Sequence, residues 1–298
     1  MNLVMTTNLP FGPVRRGKVR DIYDLGDTLL LIASDRISAF DVILPDGIPG
    51  KGRLLTQISL HWFAWLEKEM GLFHHLITGD FDAFPAMLHP YKKILEGRSL
   101  LVKKATPFPV ECIVRGYLAG TGWKEYQKTG TICGQKLPKD LLESSKLPDP
   151  IFTPSTKGAI GEHDINISFD EMVSKIGASH ADKIKSQSLV IYKKAAEYAQ
   201  QRGILIADTK MEFGLHPVTK KIILIDEVLT PDSSRFWPED VYQQGRSQVS
   251  FDKQYLRDYL LSIDWNGTST PPALPKDVIA QIGQRYAEAF ERLTNPTQ

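Results

Sequence analysis

Two acidic-ended apolar runs constrain this fold most: Ile204-Leu-Ile-Ala-Asp-Thr-Lys-Met-Glu-Phe-Gly214 and Ile222-Ile-Leu-Ile-Asp-Glu-Val228. Both are rich in β-branched residues, and the polar connector between them contains Pro217, so they read as a β-hairpin. A strand sends alternate side chains to opposite faces. Asp208, Lys210 and Glu212 therefore share one face, and the second strand brings Asp226 roughly opposite. Carboxylates beside a lysine at the end of an apolar sheet suit a magnesium–nucleotide site, because Mg²⁺ favours one or two carboxylates plus phosphate oxygens. The same residues also suit an exposed hairpin with solvated charges.

Composition narrows the class. At 298 residues and 42% hydrophobic, the chain can bury a sizeable core as one large domain or two lobes. Its 36 basic residues nearly balance 35 acidic ones, so no global field points to nucleic acid, and any anion must be held by local clusters. Cys112 and Cys133 form no spacing motif, which argues against a disulfide scaffold or zinc site and fits a reducing cytosol. The N-terminus lacks the pattern of a signal peptide, and no apolar run approaches a membrane span. These features predict a soluble, cytoplasmic protein.

Strands dominate the first hundred residues. Val14–Tyr23 and Thr28–Ala33 flank the turn-prone Asp24-Leu-Gly-Asp27 and should pair as a hairpin. Leu55, Ile58, Trp62, Trp65 and Leu66 recur at helical spacing, with Gly71 as a stop. Leu100–Lys104 and Val110–Val114 read as strands around Pro107 and Pro109, the best position for a hinge between lobes. Residues 137–168 are proline-rich and weakly periodic, as in a functional or mobile loop. Ile191, Ala195, Tyr198 and Ala199 mark a helix ending near Gly203. Pro275 starts another, with Ile279, Ile282, Tyr286, Phe290 and Leu293 on its apolar face. Unequal blocks of strand and helix indicate an α+β fold.

Several polar segments offer chemistry. In Arg15-Arg-Gly-Lys-Val-Arg20, strand alternation puts Arg16, Lys18 and Arg20 on one face, and Gly17 lets the backbone approach a ligand. An exposed, solvated strand is the simpler alternative. Ser34–Val42 reads as a loop after a strand, where Asp35 and Arg36 either serve a ligand or pair with each other. Arg115-Gly-Tyr-Leu-Ala-Gly-Thr-Gly122 combines glycines with Arg115 and Thr121, which could hold a phosphate, although it is no P-loop. Thr153–Asp164 ends in a His163–Asp164 pair without a second histidine at ligand spacing, so a substrate-facing loop is favoured over a metal hydrolase, with a solvated loop as the simpler alternative. Arg235 could bind an anion or stack on Trp237.

Taken in order, Gly17–Tyr23, Ser34–Val42, Val114–Lys128, Phe152–Ser168, Asp208–Leu215 and Asp226–Trp237 resemble the phosphoribosylaminoimidazole-succinocarboxamide synthase (SAICAR synthase) family. Val114-Arg-Gly-Tyr-Leu118 and Gly161-Glu-His-Asp164 are similar to its longer, yeast-like form. The resemblance implies ATP-dependent ligation of L-aspartate to 5-amino-1-(5-phosphoribosyl)imidazole-4-carboxylate through an acyl phosphate, giving SAICAR, ADP and phosphate. A small-molecule kinase using the same Mg-ATP cleft, or a non-catalytic nucleotide-binding regulator, is the alternative.

The resemblance further implies a two-lobed, ATP-grasp- or kinase-like nucleotide cleft with antiparallel sheets and flanking helices. The expected division is an N-terminal nucleotide-covering lobe over 1–108 and a catalytic, substrate-binding lobe over 109–298. It assigns Gly17, Lys18 and Arg20 to the ATP phosphates, and backbone near Lys103 and Ala105 to adenine. Glu212 and Asp226 become Mg²⁺ carboxylates, Lys210 a stabiliser of reacting charge, and Asp208 its orienting neighbour. Arg115, Thr121 and Arg235 fall to the ribotide phosphate. Ser38, Asp41, Lys157, His163 and Asp164 line the imidazole or aspartate end. A monomer with small-molecule partners, and neither nucleic acid nor membrane, is expected.

Overall fold

The computed structural model describes residues 3–157 and 165–295. The chain opens with β1 (Arg15–Arg16), β2 (Arg20–Asp24) and β3 (Thr28–Ala33), each antiparallel to the next. A separate hairpin, β4 (Arg36–Ala39) and β5 (Val42–Gly47), turns through Phe40 and Asp41 at φ 49° and 63°. Two consecutive left-handed residues make the turn whose twist suits a tight hairpin. The segment expected as a loop is therefore largely strand.

Helix α1 (Lys51–Met70) buries Leu55, Ile58, Trp62, Phe63 and Leu66 on one face, while Trp65 is half-buried. Gly71 ends it in the left-handed region at φ 60°, its N–H donating to the Glu67 carbonyl at 2.8 Å. After β6 (Leu76–Thr78) and the short α2 (Lys92–Leu95), β7 (Ser99–Lys103) completes the first sheet. Among the described residues that sheet is five-stranded, in the order β1-β2-β3-β7-β6.

The second sheet begins at once with β8 (Thr106–Pro107) and β9 (Val110–Tyr117). Helix α3 (Gly120–Thr129) and the small hairpin of β10 (Thr131–Ile132) and β11 (Gln135–Lys136) follow, then β12 (Lys146–Phe152) and β13 (Ser155–Thr156). Strands β12 and β13 thus lie within residues 137–168, the stretch expected to be irregular. Helices α4 (Phe169–Ile176) and α5 (Ala178–Gln200) lead to the long β14 (Ile204–Leu215), β15 (Ile222–Ile225) and β16 (Ser234–Pro238). Helices α6 (Gln254–Ser262) and α7 (Lys276–Thr294) close the chain. Strand β14 is the axis of the second sheet, pairing with β8, β9, β15 and β16.

Packing explains the register. Met211 and Phe213 lie in the main core with Ile184, Ile191 and Ala195 of α5. Burying such a side chain contributes about 2 kcal/mol, whereas an exposed ion pair contributes about 0–1 kcal/mol. The apolar set therefore decides which face of β14 turns inward, and Lys210 and Glu212 must face out. A second core joins Ile37 and Leu44 of the β4–β5 hairpin to Leu256, Ile282 and Tyr286 of α6 and α7. Residues on both sides of 108/109 thus share cores. His75 N–H also donates to the Leu224 carbonyl at 2.9 Å, tying the two sheets together.

Candidate active site

The polar face of β14 carries a row of ionic clusters. Asp208 lies opposite Arg115 of β9 and Arg235 of β16, next to a bulge in the β14–β16 pairing. Its Oδ2 accepts from Arg115 Nη1 at 3.0 Å and from Arg235 Nη1 at 2.5 Å. Arg115 also donates to Thr121 Oγ1 at 3.2 Å and Thr153 Oγ1 at 3.0 Å. Two guanidiniums share one carboxylate, so the cluster retains a positive charge for an anion. Gly120 makes this possible: at φ +56°, an added Cβ would stand 2.1 Å from Arg235 Nη2.

Arg115, Thr121, Asp208 and Arg235 line an open cleft that also takes in Lys210, Lys253 and Arg257. Lys253 and Arg257 are four residues apart at the start of α6, a spacing that places both on one helix face. Arg235 is pushed up by Asp208, whereas burial pulls Arg257 and Lys253 down. Asp252, whose oxygens accept the Phe236 and Gln254 N–H groups, is pushed up to about 6 by burial.

Lys210 is bonded to Glu111 of β9, not to Asp208. The expected Asp208–Lys210 pairing gives way because Asp208 is taken by two arginines. Burial works against the Lys210 charge, but Glu111 and Glu212 outweigh it and the amine is pushed up. It is a fixed cation.

The acidic end lies further along β14. Glu212 pairs with Ile225, and Asp226 follows in the left-handed region at φ 65°, a conformation common at functional sites. Asp226 Oδ2 accepts from Arg20 Nη2 at 2.5 Å, and Glu227 lies 3.5 Å from the same guanidinium. Glu212 accepts from Lys157 Nζ at 2.5 Å. Burial pushes Asp226 up to about 6, with Glu212 and Glu227 adding to the rise. Burial also acts to raise Glu212, but Lys157 and Lys210 hold it below the ordinary range. Among the described residues, no three His, Cys, Asp or Glu side chains converge as a metal cage. A carboxylate pair beside Arg20, Lys157 and Lys210 nevertheless fits Mg²⁺ shared with a nucleotide, which needs few protein ligands.

Some expectations require correction. Arg16, Lys18 and Arg20 do not share a strand face, because Gly17 N–H donates to the Arg20 carbonyl at 2.8 Å and closes a turn. Arg16 donates to the Thr7 carbonyl, Lys18 to Asp41, and Arg20 to Asp226. Asp35 and Arg36 do not pair: Asp35 takes Arg98 and Arg36 takes Asp21. Trp237 stacks on Tyr242, and Arg235 goes to Asp208.

At the expected adenine segment, Lys103 N–H is already bonded to the His75 carbonyl and Ala105 N–H to the Lys103 carbonyl. Those two amides are engaged, which leaves carbonyl lone pairs to meet a purine amino group. Ser38 is buried in β4. His163 and Asp164 lie outside the described residues.

The sequence reading missed Glu111, Thr153, Lys253 and Arg257. Only the last two left a readable signal, two cations at helical spacing after Asp252.

The SAICAR synthetase family model matches residues 13–272. A phosphoribosylaminoimidazole-succinocarboxamide synthase of Thermodesulfovibrio yellowstonii is 58% identical over 99% of both chains. The structure is similar to SAICAR synthase of Saccharomyces cerevisiae complexed with SAICAR, at a TM-score of 0.89 and 46% identity over 99% of both chains. It is also similar to a type-2 SAICAR synthetase in complex with ADP, at a TM-score of 0.70 and 26% identity over 96% of this chain and 99% of that one.

Proposed function

The chain belongs to the SAICAR synthetase family, and from that premise we propose how its residues divide the work. The reaction is ATP-dependent ligation of L-aspartate to 5-amino-1-(5-phosphoribosyl)imidazole-4-carboxylate, giving SAICAR, ADP and phosphate in purine biosynthesis. One observation carries the residue assignment: β14 lines up Asp208 with its two arginines, then Lys210, then Glu212 beside Asp226. At about 7 Å between alternate residues, that row spans a ribotide lying with its phosphate at one end and its carboxylate near the other.

Arg115, Thr121 and Arg235 hold the ribotide phosphate, supported by Lys253 and Arg257. Gly17, Lys18 and Arg20 cover the ATP phosphates. An added Cβ at Gly17 would meet only the Arg20 carbonyl, at 3.6 Å, so the backbone there is open to a close ligand, which supports this assignment. Adenine lies against the 103–105 backbone. Glu212 and Asp226 hold Mg²⁺, which when bound neutralises phosphate charge. Ser38, Asp41 and Lys157 line the imidazole or aspartate end, and we assign His163 and Asp164 there as well. Asp208 positions the arginines. We place the division at 108/109, close to the change of sheet between Lys103 and Thr106.

Carboxylate is a poor acceptor for an amine because its oxygen leaves poorly. A ribotide carboxylate oxygen attacks the γ-phosphorus and the bond to ADP breaks. The aspartate amine then attacks the acyl carbon, the acyl–oxygen bond breaks, phosphate leaves and the amine gives up a proton. Lys210 holds positive charge beside these anions throughout, so alignment and charge neutralisation carry the catalysis. Among the described residues, no helix is long and apolar enough to cross a membrane. We assign a cytoplasmic monomer acting on small molecules.

Substrate omission tests the reading. ADP release should require Mg²⁺ and the ribotide, and SAICAR formation should also require aspartate. ADP release that ignores the ribotide would reject it.

A further inference from the structure

Behind Lys253 lies a buried ionic cluster built on Asp232. Lys51 is the first residue of α1 and its side chain is fully buried, with its Nζ 2.7 Å from Asp232 Oδ2. A lysine is doubly misplaced there, because a helix N-terminus repels cations and burial penalises the charge. The same Asp232 oxygen lies 3.2 Å from Lys253 Nζ, while Tyr286 of α7 donates to Oδ1 at 2.6 Å. Lys51 also sits over the Tyr286 ring, 5.7 Å from its centroid. Burial would raise the Asp232 carboxyl, but Lys253 and Lys51 hold it well below the ordinary range, so it is an anion.

The charges do not cancel. The Asp232 carboxylate faces two ammonium groups, and of these Lys253 lines the cleft while Lys51 does not. Were Lys51 absent, Lys253 would become the sole counter-ion of Asp232 and its charge would be spent inside the protein. With Lys51 and Tyr286 also satisfying Asp232, one ionic contact at 3.2 Å ties Lys253 down and leaves ammonium donors available to a ligand in the cleft it lines.

We propose that Lys51 and Tyr286 are positioning residues for ribotide binding, acting through Asp232 to hold the Lys253 amine in place at the cleft. Neither touches the ligand, and the role rests on the ligase reading above. It gives the first turn of α1 and the C-terminal helix a specific part in substrate affinity.

The test is steady-state kinetics on the full chain. Lys51→Met should raise KM for the ribotide by about tenfold or more, a coupling typical of one ionic network, and leave KM for ATP within about twofold. In a Lys253→Met background the same substitution should change little. Equal rises in both KM values, or full additivity with Lys253→Met, would overturn the proposal. Should Lys51→Met not fold, Tyr286→Phe, which removes one hydrogen bond, should show the same split at smaller size, and no split overturns it. A second arm is independent of the ligase reading: inorganic phosphate should raise the Tm of the wild-type chain and that of Tyr286→Phe less. Failure of the wild type to turn over would strike the ligase reading, while the phosphate arm would still decide this one.

Discussion

Arg115 and Asp208 face each other across β9 and β14, meeting at 3.0 Å with side chains only 2% and 6% exposed. A buried carboxylate with one cation would consume that cation. Here Arg235 reaches the same oxygen, so the pair is a scaffold that aims a second guanidinium at the cleft. Breaking such a pair costs more than the pair itself contributes, because it leaves an unpaired buried charge.

Asp208→Asn keeps the shape and removes the anchor. The expected result is a rise of about 30-fold in KM for the ribotide, equivalent to about 2 kcal/mol, with KM for ATP nearly unchanged. A loss confined to kcat would instead place Asp208 on the reacting atoms.

Gly120→Ala tests the same clasp from outside. The new methyl group would meet Arg235 at 2.1 Å in a backbone held at φ +56°. Stability should fall by about 1–3 kcal/mol, read as a lower denaturant midpoint, and KM for the ribotide should rise. Unchanged ribotide affinity would mean that Arg235 does not bind it.

Glu212→Ala and Asp226→Ala should each lose at least about 100-fold in Mg-ATP turnover while keeping wild-type far-ultraviolet circular dichroism. Near-normal turnover in both variants would remove these residues from the metal.

The acidic end also predicts a pH dependence. Asp226 is pushed up to about 6. Below that pH a growing fraction carries a proton, and metal binding requires the carboxylate. Calorimetric Mg²⁺ affinity should therefore fall by about tenfold per pH unit below 6 and level off above it. A flat profile from pH 5 to 7 would contradict the assignment.

Local pattern made part of this architecture legible. The alternation of β14, the apolar face and glycine stop of α1, and the start of α7 after Pro275 all appear where periodicity and turn chemistry place them. Periodicity gives a face but not the partner across it. Lys210 meets Glu111, 99 residues away, and Lys51 meets Asp232, 181 residues away. Such contacts depend on how sheets and helices dock, which composition and spacing do not encode. Arg16, Lys18 and Arg20 were misplaced for a smaller reason: the turn at Gly17 broke the alternation. The roles proposed for these residues rest on the resemblance of the ordered motifs, because spacing alone left them open.

The central claim is that the row along β14 serves attack by a ribotide carboxylate oxygen on the γ-phosphorus of ATP. Labelling that carboxylate with heavy oxygen and following one turnover tests it directly. The account predicts one labelled oxygen in the inorganic phosphate, with ADP unlabelled. Phosphate free of label, formed together with SAICAR, would contradict it.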